Sequence, residues 1–196
     1  MEDPKPFNDS VFTTFPQLET SRLILRQTRL TDHADILRII SDPRVSLYTG
    51  REPFVSKEAE AAWLNSLHIL FPEKKAIRWA LEFKGKEGYI GNICFWNLLT
   101  QHRRAELGYD LSPDYWNKGL MSEALQIILH YGFTQMNLHS VAANVTPENQ
   151  ASVNLLKKHG FVQEGFFKQN FYSRGSFSDT ASFSLLDRNF NDNQPE

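Results

Sequence analysis

Tyr115-Trp116-Asn117-Lys118-Gly119-Leu120-Met121-Ser122-Glu123-Ala124 is where this chain carries its clearest chemistry, because one glycine there joins a strand pattern to a helix pattern. Before it, Ala105, Leu107, Tyr109 and Leu111 alternate with Glu106, Gly108 and Asp110, the period of a strand with one buried face. After it, Leu120, Ala124, Ile128 and Gly132 recur at helical spacing. A turn of this kind aims several unpaired backbone N–H groups at one point, and the first helical turn adds partial positive charge there. The chemistry expected is the binding of an anion such as a phosphate. Gly119 removes the Cβ that would hinder close approach, and Lys118 and the Ser122 hydroxyl could add side-chain donors. The plainer alternative is a glycine that only starts a helix.

A second stretch points the same way. Thr146-Pro147-Glu148-Asn149-Gln150-Ala151-Ser152 opens another helix and Lys157-Lys158-His159-Gly160-Phe161 closes it. Thr146 suits a cap and Pro147 a first helical position; the two lysines and His159 suit a last turn, with Gly160 just past the end. At these residues the chain resembles the GCN5-related N-acetyltransferases, and in that family the branch that acetylates ribosomal-protein N-termini. The resemblance rests on Leu107-Gly108-Tyr109, on Trp116 to Ala124, on Asn149-Gln150-Ala151-Ser152 and on His159 to Gly165, in this order, and spans roughly residues 17–190.

The resemblance implies that the stretch from Trp116 through Asn117, Lys118, Gly119, Leu120 and Met121 to Ser122 holds the pyrophosphate of acetyl-coenzyme A. It also implies that the strand bearing Tyr109, Asp110 and Leu111 splays from its neighbour to admit the pantetheine arm, with the Asn149 amide bridging the two. The first two helices and the loop between them would wall the acceptor channel, making Tyr48, Arg51, Glu52 and Phe54 candidate contacts; a solvated surface loop is the other reading. A glutamate used as a base in one ribosomal-protein acetylase branch is replaced here by Phe171, itself a candidate substrate contact. Leu156 stands where many members of the family have a tyrosine that protonates the thiolate.

Acetyl transfer from a thioester needs a neutral amine, a polarised carbonyl and a proton for the departing thiolate. A lysine-type amine of pKa near 10.4 costs roughly 4 kcal/mol to neutralise at cytoplasmic pH, an α-amine near 7.7–8.0 well under about 1 kcal/mol. An α-amine therefore needs little from a base. Ser152, near the start of the second helix, is the candidate acid, or a first-turn serine satisfying backbone groups. Glu106, on the strand face opposite Ala105 and Leu107, is the candidate base through a water, or a solvated carboxylate. A backbone N–H near Tyr109 to Leu111 is the expected carbonyl polariser. A chain that binds acetyl-coenzyme A without turnover is the rival expectation, and the competing acceptors are a protein N-terminus, a polyamine or amino acid, and a drug-like amine.

The surrounding elements read as a mixed α/β domain with a mostly antiparallel sheet of six to seven strands flanked by about four helices. Strands are expected over 22–26, 77–83, 89–97, 140–145, 161–171 and 177–186, with helices starting near Thr31 and Ser56 and a loop over 46–55. Residues 1–16 read as a flexible arm, 17–190 as one domain and 191–196 as a frayed tail. A length of 196 residues with 15 Phe and 4 Trp suits a real core rather than disorder. The phenylalanines could also leave an apolar patch for a homodimer. A net charge of −2 supplies no field toward nucleic acid or an anionic membrane, so a ribosomal partner would be read locally. One cysteine, Cys94, excludes an internal disulfide, and the absence of a leader pattern or an apolar run long enough to span a bilayer gives the cytoplasm as the expected compartment. The six histidines show no paired ligand spacing, so no metal is expected.

Overall fold

The computed structural model describes residues 5–50 and 52–191. In chain order it contains β1 (Leu18–Glu19), β2 (Leu23–Gln27), α1 (His33–Ile40), α2 (Pro43–Thr49), α3 (Lys57–Ile69), β3 (Ile77–Phe83), β4 (Lys86–Leu99), β5 (Arg104–Leu111), α4 (Leu120–Thr134), β6 (Ser140–Val145), α5 (Gln150–Lys158), β7 (Val162–Ser173) and β8 (Ser176–Leu186). The strands form one sheet in the order β1-β2-β3-β4-β5-β6-β8-β7. All neighbours are antiparallel except β5 and β6.

The expected mixed sheet is present with two additions. The two-residue β1 brings the strands to eight, and α2 occupies part of the expected loop over 46–55. Asp42-Pro43 explains α2: Asp42 Oδ1 accepts from the Arg44 N–H at 2.9 Å, and Pro43 takes a first-turn position where no N–H is needed. One dipeptide thus ends α1 and starts α2.

Alternate residues of β3 feed two apolar layers. Ile77, Trp79 and Leu81 pack with Ile93 and Phe95 of β4 and with Leu120, Leu125 and Ile128 of α4. Ala80, between them, belongs instead with Ile36 and Ile39 of α1, Val45 of α2, and Leu64 and Leu67 of α3. Helices α4 and α5 therefore cover one face and α1 to α3 the other, with each fully buried Leu or Ile contributing about 1.5–3 kcal/mol.

The feature that makes room for a ligand is the pairing of β5 with β6. It covers only Arg104–Ser140, Ala105–Val141 and Glu106–Ala142, then stops, although β6 stays paired with β8 as far as Val145. Beyond Glu106 the two parallel strands diverge, leaving a gap open to both faces. Among the described residues no helix is long and apolar enough to cross a membrane.

Candidate active site

The turn leaving β5 is built to present its backbone. Trp116 Nε1 donates to Leu111 O at 2.8 Å and closes the loop on its own strand. Asn117 at φ 58° and Gly119 at φ 75° are both left-handed, and Gly119 leads directly into α4. The Glu123 N–H donates to Gly119 O at 3.0 Å, so the amides ahead of it have no carbonyl four residues back within the helix and face outward. Arg22 braces the turn, donating from Nη1 to Lys118 O at 2.9 Å and from Nε to Glu123 Oε2 at 2.6 Å. Glu123 also accepts from the Thr20 hydroxyl and the Arg22 N–H; burial opposes its charge, but these donors hold its pKa below the usual range.

Two side chains of this turn are directed away from the expected anion. Lys118 Nζ donates to Asp114 O at 2.7 Å and lies over the Tyr115 ring. Ser122 Oγ lies 2.7 Å from His159 Nε2, whose Nδ1 is 3.2 Å from Gln126 Oε1. Burial, helped by Lys158, lowers the His159 pKa to about 4. His159 is therefore neutral at pH 7, not the last-turn cation its position suggests. Since Gln126 Oε1 only accepts, Nδ1 carries the proton and Ser122 donates to Nε2. Leu120 and Met121 are buried in the core beneath.

In the gap, Tyr109 and Ser152 come together. The Tyr109 hydroxyl is buried and has no hydrogen-bond partner among the described residues, with the Ser152 side chain beside it. Burial pushes the Tyr109 pKa up to about 12, with Ser152 acting in the opposite direction. Ser152 itself is 9 % exposed at the start of α5, where its N–H donates to Asn149 Oδ1 at 3.2 Å. Asn149 thus caps the helix with its carbonyl oxygen and keeps its NH₂ for other work. Leu156 is fully buried in the core.

On the other face, Asp110, Asn92, Tyr89 and Arg78 form a polar network. Asn92 Nδ2 donates to Tyr89 Oη at 3.1 Å and to Asp110 Oδ2. Burial works against the Arg78 charge, but Cys94, Tyr89 and Asp110 outweigh it and hold the pKa above the ordinary value. Cys94 is buried and its pKa is raised by that burial, which excludes a reactive thiolate.

A cavity of about 940 Å³ connects these parts. It runs from Tyr48 and Thr49 of α2 and Trp63 of α3, past Arg78 and Asp110, through the gap at Tyr109 and Ser152, to Asn149 and the turn from Trp116 to Ser122. Leu111 lines it too. A long donor with phosphates at one end and a thioester at the other fits this shape: outward amides meet the anion, and an orphaned phenol waits in the gap.

The other expected residues lie elsewhere. Glu106 is on the face covered by α1 to α3, at the last position where β5 pairs with β6, accepting from Asn97 Nδ2 at 3.2 Å, and is not on the cavity wall. Glu52 and Phe54 line a separate cavity of about 430 Å³ with Arg174, whose N–H donates to Glu52 Oε1. Phe171 of β7 packs against Gly50, where any Cβ would overlap its ring. Arg51 lies outside the described residues. Among the described residues no group of three or more His, Cys, Asp or Glu could hold a metal. Arg78 and the unpartnered Tyr109 hydroxyl were not singled out from sequence; a charge at Arg78 alternating with Ile77 and Trp79 was the available signal.

The profile of the acetyltransferase (GNAT) domain matches residues 22–162, from the brace at Arg22 to the start of β7. The chain belongs to the GNAT family. As a GNAT protein it is an acetyl-coenzyme A-dependent N-acetyltransferase. It is 38% identical over 172 residues to the Bacillus subtilis N-acetyltransferase YoaA, covering 88% of this chain and 97% of that one. The structure of spermidine N-acetyltransferase from Vibrio cholerae in complex with CoA and spermine superposes with a TM-score of 0.76 at 28% identity, over 86% of this chain and 98% of that one. Ribosomal-protein-S5-alanine acetyltransferase from Vibrio fischeri gives 0.75 at 25% identity, over 90% and 99%.

Proposed function

We propose that this GNAT enzyme acetylates an α-amine, that of a protein N-terminus such as a ribosomal protein's. The observation that carries the reading is the charge on the acceptor side of the cavity: Asp110 is the single carboxylate lining it among the described residues, beside Arg78, while Arg44 and Lys75 are paired with Asp42 and Glu73. A polycation would find no surplus of carboxylates there, whereas an α-amine brings at most one charge and loses it for well under about 1 kcal/mol. The likeness to the ribosomal-protein-alanine enzyme supports the same reading. A small amine is the second reading, supported by the likeness to the spermidine enzyme.

In this reading the outward amides from Asn117 to Ser122 hold the pyrophosphate, and the Asn149 NH₂ and the free edge of β5 from Tyr109 to Leu111 hold the pantetheine arm and the thioester carbonyl. Tyr109 and Ser152 offer hydroxyls to the departing sulfur. Glu106 takes the amine's proton through a water; Asp110, which lines the cavity, is the nearer alternative. Tyr48, which lines the cavity, contacts the acceptor. A cytoplasmic setting agrees with the one buried, unpaired cysteine.

The test is titration with acetyl-coenzyme A followed by thiol release with free-N-terminus peptides, spermidine and free amino acids. Turnover of peptides above spermidine is expected. Turnover of polyamines alone would overturn the α-amine reading, and binding without any turnover would mark a silent acetyl-coenzyme A sensor. Glu106→Gln and Asp110→Asn then separate the two carboxylates by which one shifts the rate at low pH.

A further inference from the structure

Two arginines rise from the same face of adjacent strands and are treated in opposite ways. Arg26 of β2 lies opposite Ala80, two residues from Arg78 of β3, so the two share a face. Arg26 is bound by Asp32 at 2.8 Å and Glu82 at 2.7 Å, both buried. Arg78 is only partly buried and lines the cavity, and among the described residues it has no carboxylate within ion-pair distance. Its neighbour is the Tyr89 phenol; Asp110, which accepts from Asn92, favours its charge only from beyond ion-pair distance. A guanidinium on a cavity wall with no carboxylate in direct contact keeps its planar fork of donors open, and a ligand is one source of that partner.

Position makes that ligand the acceptor. Arg78 lies opposite Cys94, and Cys94 opposite Gly108, so its Cα stands two strand spacings, about 10 Å, from β5. Gly108 is two residues past Glu106, where β5 and β6 part. A molecule whose amine sits at the gap can therefore reach Arg78 with a group one or two residues away. Other basic groups of the cavity are engaged: Arg44 with Asp42 at 2.7 Å, Lys75 with Glu73 at 2.6 Å, and Lys118 with Asp114 O at 2.7 Å.

We propose that Arg78 recognises a carboxylate on the acceptor, so that the favoured substrate is an α-amine carrying a carboxylate within two residues. This rests on the α-amine reading above. The carboxylate could come from an acidic side chain beside a protein N-terminus or from a free amino acid, and both sources present it to the same planar fork of donors.

The experiment compares matched acceptors in wild type, Arg78→Met and Arg78→Lys: peptides beginning Ala-Glu against Ala-Gln, and alanine against its methylamide, each across pH so that amine protonation is factored out. Acetyl-coenzyme A titration first establishes that each variant is folded. A carboxylate advantage in kcat/KM on the order of tenfold to a hundredfold is expected in wild type, lost in Arg78→Met and partly kept in Arg78→Lys. Whichever pair shows it names the source. Equal turnover of charged and neutral partners by wild type would overturn the proposal while leaving the α-amine reading intact. An advantage that survives in Arg78→Met would overturn it too. No turnover of any α-amine despite cofactor binding would remove both. Should Arg78→Met fail to fold, the wild-type panel and Arg78→Lys still decide.

Discussion

At the residue scale, Tyr109 is an unusual choice as the proposed donor to the departing thiolate. Tyr109 has its pKa pushed up to about 12, well above an ordinary thiol near 8.5, which would make proton transfer uphill in water. The gap is not water, however, and burial that disfavours the phenolate disfavours a thiolate as well, as it does at Cys94. The two acids are thus brought closer in strength, and a phenol with no other partner is free to follow the sulfur as charge develops. Tyr109→Phe is expected to lower kcat by roughly 10²-fold with acetyl-coenzyme A affinity retained; an unchanged kcat would remove the phenol from the reaction. Ser152→Ala should act in the same direction but less, because the Tyr109 hydroxyl beside it stays in place. Neither partnership was legible in sequence. Ser152 stood out from the helix start and Tyr109 as part of the strand expected to admit the pantetheine arm, but nothing local reveals that its hydroxyl ends beside a helix more than 40 residues later.

At the scale of elements, the first turn of α4 is held from three sides: by its own left-handed Gly119, by Arg22 and Glu123, and by Ser122 bound to neutral His159. Gly119→Val must place a β-branched residue at φ 75°, at a cost of about 1–2 kcal/mol in backbone alone. Acetyl-coenzyme A affinity should fall roughly tenfold by calorimetry, and unchanged affinity would discredit the cradle. The His159 contact has a pH signature. Its folded pKa of about 4 lies below the unfolded value near 6.5, so the folded state binds fewer protons between them. That contribution is complete above pH 6.5 and is lost as pH falls toward 4. Wild type should therefore lose thermal stability over that window more steeply than His159→Gln, and parallel curves would refute the assignment. The long elements were visible in the sequence because their apolar periods are local. The helix α2 was hidden because Asp42-Pro43 reads as a stop, although the same residues serve as a cap and a first turn. The gap between β5 and β6 was hidden for a different reason: it depends on where pairing ends between strands separated by a whole helix.

Across the whole molecule, the layer of α1 to α3 is the proposed acceptor wall, and the Arg26 cluster ties it to the sheet. Arg26 comes from β2, Glu82 from β3, and Asp32 from the turn that enters α1, so one guanidinium joins two strands to the first helix of that layer. Burial opposes ionisation of Asp32, but its bonds to Arg26 and to the Arg29 N–H hold its pKa below the ordinary value. Removing one partner strands a buried charge, so Asp32→Asn should cost about 3–5 kcal/mol of folding stability. The sign of the pH dependence follows from the lowered pKa: the stabilisation is full above the unfolded carboxyl value near 3.9 and disappears as pH drops through the folded one. Acid unfolding of wild type should therefore show a steep loss below about pH 4, separate from the His159 window, and Asp32→Asn should flatten it. The two ends of the cavity should also respond differently. In the proposed reading acetyl-coenzyme A is held by β5, α4 and α5, which the cluster does not touch, whereas the proposed acceptor wall hangs from it. Where Asp32→Asn remains folded, it should raise the acceptor KM while leaving acetyl-coenzyme A affinity within about twofold, the scatter expected of distant independent sites. Equal losses at both ends would mean that the cluster supports the whole sheet and not this wall.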